Sequence, residues 1–217
     1  MLELLELLIK PTQQTLYMTL TSSVLAVLLG LPLGIALVVT GPDGLRPALQ
    51  FNKVVNVVVN TMRSIPFIIL MILLFPLSRW IVGTTIGTTA SIIPLSIAAA
   101  PFVGRLVESS LLEVDRKLIE AVSSMGASPW HIVVKVLIPE ALPSLVLALT
   151  VTVINIIGYS AMAGAIGGGG LGDLAIRFGF HRFQTDVLIA SVVTIIVLVQ
   201  AVQTAGNALA AYCSKNR

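Results

Sequence analysis

The sequence predicts an all-α membrane protein with about five transmembrane helices, and three observations carry that class. Apolar residues make up 56% of the chain and charged residues 11%, against roughly a quarter charged in soluble domains. The charges cluster between long uncharged tracts, and crossing the hydrocarbon core takes about 20 mainly apolar residues in a helix. Those tracts are continuous Leu, Ile, Val and Ala runs without the alternation of barrel strands. Only helices and closed barrels satisfy every backbone group in lipid, so the spans are helical. A chain of 217 residues suits one membrane domain with no sizeable extramembrane domain.

The N-terminal segment 1–14 opens on Met1-Leu2-Glu3-Leu4-Leu5-Glu6, acidic where a signal peptide is basic, so it is expected to be retained. Residues 2–9 are read as a short helix lying in the membrane interface. Spans follow at about 16–39, 54–77, 88–105, 142–166 and 187–208, with a tail over 209–217. The first contains Pro32, Gly30 and Gly34, which transmembrane helices tolerate. Gly41-Pro42-Asp43-Gly44 is a turn signal that ends it. The second contains Arg63, the third Pro94 and Pro101, and the glycine run 167–170 marks the exit from the fourth.

Positive charge sets the expected orientation. Arg46, Lys53, Arg105, Arg116, Lys117, Lys135, Lys215 and Arg217 share one side, and Lys10, Arg79, Arg177 and Arg182 the other. Eight against four places the N-terminus outside and the C-terminus in the cytoplasm. The basic residues flank spans rather than cluster, which points to lipid and excludes nucleic acid as partner. Cys213 stands alone, and His131 and His181 are far apart without ligand-like neighbours, so no disulfide framework or metal site is expected.

The break between spans three and four is the most informative segment. Asp115 is a plausible N-cap, and Gly126 suits the position just past a helix end. Between them Leu118, Ile119, Val122 and Met125 form an apolar stripe at helical spacing, with Arg116, Lys117, Glu120 and Ser123 off it. Ser128 and Pro129 start a second helix, and Pro139 and Pro143 end the unit. Such a helix either anchors the loop in headgroups or docks into a groove on a cytoplasmic partner. The pattern leaves both open.

Glu120-Ala121, Gly126-Ala127 and Ile138-Pro139 match the spacing of the Glu-Ala-Ala loop of bacterial ABC-importer permeases, with Val122 for the second Ala. Arg63-Ser64-Ile65-Pro66-Phe67 resembles a segment of amino-acid permeases. Gly158-Tyr159-Ser160-Ala161-Met162-Ala163-Gly164, running into the glycine run, resembles the fourth-span exit of methionine-importer permeases. This resemblance implies a type I ABC-importer permease fold in the bacterial cytoplasmic (inner) membrane. It implies a coupling helix within 115–139, with Glu120, Ala121, Met125, Gly126, Ala127 and Pro139 at the ATPase contact. A homodimer, two ATP-binding-cassette ATPase subunits and an extracytoplasmic substrate-binding (lipo)protein are the implied partners. The implied ligand is methionine, the L-isomer and by extension the D-isomer.

No Gly-x-x-x-x-Gly-Lys-(Ser/Thr) occurs, and neither a nucleophile–base set nor a paired-carboxylate site is visible. The chain is therefore expected to be no enzyme and to bind no cofactor itself, with ATP-Mg held by the partner subunit. Thr152, Asn155 and Tyr159 form a polar stripe on span four, with Ser160, Met162 and Gly164 beyond. The stripe either lines a pathway or gate or bonds between helices; we expect it to face the dimer axis. Small residues at Gly158, Ala161, Gly164, Ala165 and Gly167 fit a dimer contact or an outer gate. Arg63 within a span suggests function by default, yet a packed or interfacial structural role is the preferred reading. Two alternatives remain: an ABC permease for another amino acid or a quaternary amine, and an ion-coupled secondary transporter. The latter usually needs internal repeats and ionisable residues at the membrane midplane, neither of which is evident.

Overall fold

The computed structural model describes residues 2–215, with side chains from Glu6 onward. Met1 and, from the expected tail, Asn216 and Arg217 lie outside the described residues. In chain order the helices are α1 (Leu2–Thr40), α2 (Leu49–Ser64), α3 (Phe67–Leu73), α4 (Phe75–Val82), α5 (Thr88–Leu112) and α6 (Arg116–Ser124). They continue with α7 (Pro129–Ile132), α8 (Ile138–Glu140), α9 (Leu142–Ala165), α10 (Gly170–Leu174) and α11 (Thr185–Lys215). Wider π-helical turns follow α7 at Val133–Leu137 and α10 at Ala175–Phe180. Among the described residues, α1, α5, α9 and α11 are long and apolar enough to cross a membrane. The bent pair α2 and α3 adds a fifth if the two are counted as one broken span.

That bend corrects the expected second span, which is not one helix. The axis turns by 103° between α2 and α3. The cause is local: a residue before proline is driven out of the helical region, and Ile65 sits at φ −81°, ψ 124° ahead of Pro66. The expected interfacial helix over 2–9 is instead the first part of α1. Pro11 lies inside α1 without ending it. At 1.5 Å per residue the 39 residues of α1 extend about 58 Å, nearly twice a hydrocarbon core. The third span also runs longer than expected, to Leu112, so Arg105 and Glu108 are helical residues rather than loop. The fifth extends over Thr185–Lys215.

α5 is the central helix, with Leu95, Ala99, Val103, Val107 and Leu111 buried along one face. α1 lies against it through Ser22, Ala26, Gly30 and Gly34, while Leu20, Val24 and Leu28 face outward. Two glycines four apart let the backbones approach, as in other membrane helix pairs. A Cβ on Gly34 would lie 2.6 Å from the Gly104 carbonyl oxygen and from Val107 Cβ. Gly34→Leu should therefore separate α1 from α5 and lower stability by about 1–3 kcal/mol, the usual range for overpacking. Thermal unfolding in detergent measures this, with Leu28→Ala on the exposed face as a control expected to change little.

One end of the bundle collects the 41–48 turn, α6 and the end of α11. Arg116 reaches Asp43 at 3.5 Å across that end. The other end collects the 83–87 and 166–170 turns, joined by the Gly87 N–H donating to the Gly167 carbonyl at 3.0 Å. The glycine run does more than exit α9: it turns back so that α10 packs on α9 and on α1. The Gly170 and Leu171 N–H groups donate to Gln14 Oε1 (3.0 Å) and Thr15 Oγ1 (2.9 Å). Gly164 and Gly172 permit this, since a Cβ on either would strike the facing backbone. Gly164 and Gly172 therefore serve a close contact inside the chain.

Candidate functional site

The 115–139 loop forms as its caps dictate. The Asp115 side chain accepts from the Lys117 N–H at 2.9 Å. α6 ends where Gly126, at φ +82°, turns the chain and donates to the Ser123 carbonyl at 2.9 Å. Positive φ is costly for a side chain bearing Cβ, which is why glycine suits this position. Ser128 Oγ accepts from the His131 N–H at 3.3 Å and starts α7 with Pro129 in its first turn. Pro139 does not end the unit. A widened turn, in which the Ile138 N–H reaches back to the Val133 carbonyl, carries the chain through α8 toward α9. Such bulges accommodate an interrupted helical hydrogen-bond ladder, and Pro139 has no N–H to continue it.

The predicted apolar stripe divides. Ile119 and Val122 pack on the core, as does Ala127 beyond the stripe, whereas Leu118 is 38% and Met125 85% exposed. Glu120, Ala121, Gly126 and Pro139 are exposed with it. Glu120 pairs with Arg116 at 3.3 Å, and Arg116 reaches Asp43, so α6 is tied to the turn after α1. Trp130, 74% exposed, joins Met125 at the tip; sequence reasoning passed over it because a lone tryptophan after a proline carries no pattern. One face of the unit is thus fixed to the bundle and the other presents apolar side chains outward.

A second site lies at the bend. Arg63, far in sequence from Asn155 and Tyr159, lines with them a cavity of about 250 Å³ that also takes in Phe67, Leu70 and Phe102. Phe67 and Tyr159 stack with ring centroids 4.7 Å apart and planes 6° from parallel. Thr152 and Ser160, predicted to share the stripe, turn inward. They are 1% and 2% exposed and donate to their own helix at the Ala148 and Ile157 carbonyls. Met162 is exposed, and Gly164 packs against α10. The outward face of α9 instead carries Val151, Asn155, Gly158, Met162 and Ala165. Their alternate spacing by four and three is that of a helix–helix seam.

The sequence reading missed a polar ladder joining the two sites. Asn52, Asn56 and Asn60 recur every fourth residue on α2. Asn52 Nδ2 donates to the Leu37 carbonyl (2.8 Å), and Asn56 Nδ2 to Asn52 Oδ1 (2.8 Å). Arg105 of α5 donates to Asn56 Oδ1 (2.5 Å), Asn60 Oδ1 (2.9 Å) and Glu108 (2.6 Å). The repeat of Asn at i, i+4 and i+8 was the available signal.

The model of a family described as binding-protein-dependent transport system inner membrane component matches residues 26–216. The chain belongs to this family. It is a permease subunit of an ABC importer, in which a separate subunit hydrolyses ATP, and not an enzyme. The permease is 51% identical over 204 residues to the "Probable D-methionine transport system permease protein MetI" of Vibrio cholerae, covering 94% of this chain and 91% of that protein. It is 49% identical over 158 residues to the D-methionine transport system permease protein of Escherichia coli K12, covering 73% of each. A solved chain of the MetNI methionine ABC transporter, in inward-facing conformations, superposes with TM-score 0.94 at 44% identity, over 95% of the permease and 96% of that chain. An amino acid ABC transporter at 21% identity and TM-score 0.74 shares the fold.

Proposed function

We propose that this permease imports methionine. The observation that carries the reading is its identity of about one half, over more than nine-tenths of both chains, to relatives named for D-methionine transport. In this reading two copies face each other across the α9 seam, and each supplies half of a passage. Two ATPase subunits dock beneath, at Glu120, Ala121, Met125, Gly126, Ala127 and Pro139. A substrate-binding protein delivers ligand at the opposite end, beside the 83–87 and 166–170 turns. The N-terminus lies outside and the C-terminus in the cytoplasm.

The geometry supports a lever. α6 is capped at both ends, so it moves as a unit; Ile119 and Val122 on its inner face pack against the buried core, and Arg116 ties it to the turn after α1. A partner gripping Met125 and Trp130 therefore pulls on the core beneath and, through the short link at residues 113–115, on the end of α5. From α5, Arg105 passes displacement to α2 through Asn56 and Asn60. α2 ends at the bend that lines the cavity with Asn155 and Tyr159; Met162, itself exposed, extends the α9 seam. Thr152 and Ser160 support α9 from inside, and Gly164 holds its exit.

The test is ATPase stimulation in the reconstituted complex by the binding protein loaded with L-methionine, D-methionine, another amino acid or betaine. Stimulation confined to methionine supports the reading. Equal stimulation by the other ligands refutes it.

A further inference from the structure

We propose that the cavity at the bend of the second span is a station for substrate inside the membrane. There the Arg63 guanidinium holds the carboxylate of a zwitterionic amino acid with an apolar side chain. The proposal rests on the methionine-import reading and adds a binding site to it.

Arg63 closes the last turn of α2, one helical step beyond Asn60 on the same polar edge. Arg105, Arg116 and Arg177 each have a carboxylate within 4 Å. No such pair, and no hydrogen bond, engages the Arg63 side chain among the described residues. A cation within a span calls for a partner, and an unpaired guanidinium presents a rigid fork matched to one carboxylate. The side chain also faces a cavity rather than a packed contact, which displaces the structural role expected of it from sequence.

The rest of the lining fits the rest of such a ligand. Asn155 offers both a donor and an acceptor, so its carbonyl can receive an ammonium while Arg63 takes the carboxylate. Phe67, held flat by stacking on Tyr159, forms a rigid wall with Phe102 and Leu70. Aromatic walls suit a flexible, polarizable thioether. The volume of about 250 Å³ lies just under the range for drug-sized ligands, as suits a small metabolite. The helix break supplies the opening, since irregular backbone is tolerated at membrane depth only where it is buried or lines a cavity. A cation without a carboxylate, such as choline, meets Arg63 as a like charge and is rejected.

The test is equilibrium binding of tritiated methionine to the permease–ATPase complex in nanodiscs, without binding protein. Uptake by the complete system is measured in parallel. The expected result is saturable binding weakened at least tenfold by Arg63→Gln. Norleucine, which keeps the carboxylate, should compete, and methioninol, which lacks it, should not. Competition by methioninol on the unaltered protein needs no variant to fold. If methioninol competes as well as methionine, or Arg63→Gln binds normally, the station is wrong. Normal uptake with no saturable binding also overturns the station while sparing the import reading. Loss of both uptake and binding in the unaltered system overturns the two together.

Discussion

Gly172→Val should leave little folded permease in the membrane. A Cβ at position 172 would meet the Ala161 backbone, with Ala161 Cα at 2.5 Å, and backbone atoms cannot rotate aside as a side-chain tip does. The contact joins the end of α9 to α10, and the same turn is pinned to α1 by Gln14 and Thr15. Displacing α10 therefore breaks two hydrogen bonds as well as the packing of Leu171, which is fully buried. Overpacking costs about 1–3 kcal/mol and more where nothing relaxes, and each buried donor left unpaired adds about 1–3 kcal/mol. The sum approaches the whole stability of a typical domain, about 5–15 kcal/mol. Membrane-fraction yield and detergent size-exclusion profile measure this; a monodisperse protein at normal yield would show that α10 shifts freely.

The second large effect is expected at the tip of the 115–139 loop, where the proposed ATPase contact lies. Met125→Asp combined with Trp130→Ala removes the two most exposed large apolar side chains between residues 113 and 140. Neither packs on the core, so the thermal midpoint of the isolated permease should hold. Association with the ATPase should not. Buried aromatic anchors at interfaces are worth about 2 kcal/mol or more, and an unpaired carboxylate in their place adds a desolvation penalty. Two such losses weaken association on the order of 1,000-fold, since about 1.4 kcal/mol is tenfold. Co-purification of the ATPase with the variant reads this directly.

The fold and the capped helices of the 115–139 loop were legible because their signals are local. Apolar tracts longer than a bilayer announce spans, and Asp115, Gly126, Ser128 and Pro129 cap their helices as their chemistry requires. The bend at Pro66 was written in the sequence too, but hydropathy averages across it and gives one span where two helices cross at 103°. Extra turns such as Arg105 to Leu112 were hidden for the opposite reason. Their polar residues look like loop until Asn56 and Asn60 are found to satisfy them. The polar stripe on α9 was half legible. Periodicity groups Thr152 with Asn155 and Tyr159, whereas only the neighbouring helices decide which flank of that stripe opens on a cavity. Arg63 shares its cavity with Asn155, 92 residues further along the chain, and no spacing rule reaches that far.

The central claim is that passage through this chain is driven by a partner's ATP cycle acting on the 115–139 unit. The most direct measurement is uptake of labelled methionine into proteoliposomes holding the permease, its ATPase and its binding protein. Uptake should require ATP, persist when ion gradients are collapsed, and fall below a tenth in the Met125→Asp/Trp130→Ala variant. Uptake by the permease alone on an ion gradient, or full activity of that variant, would contradict it.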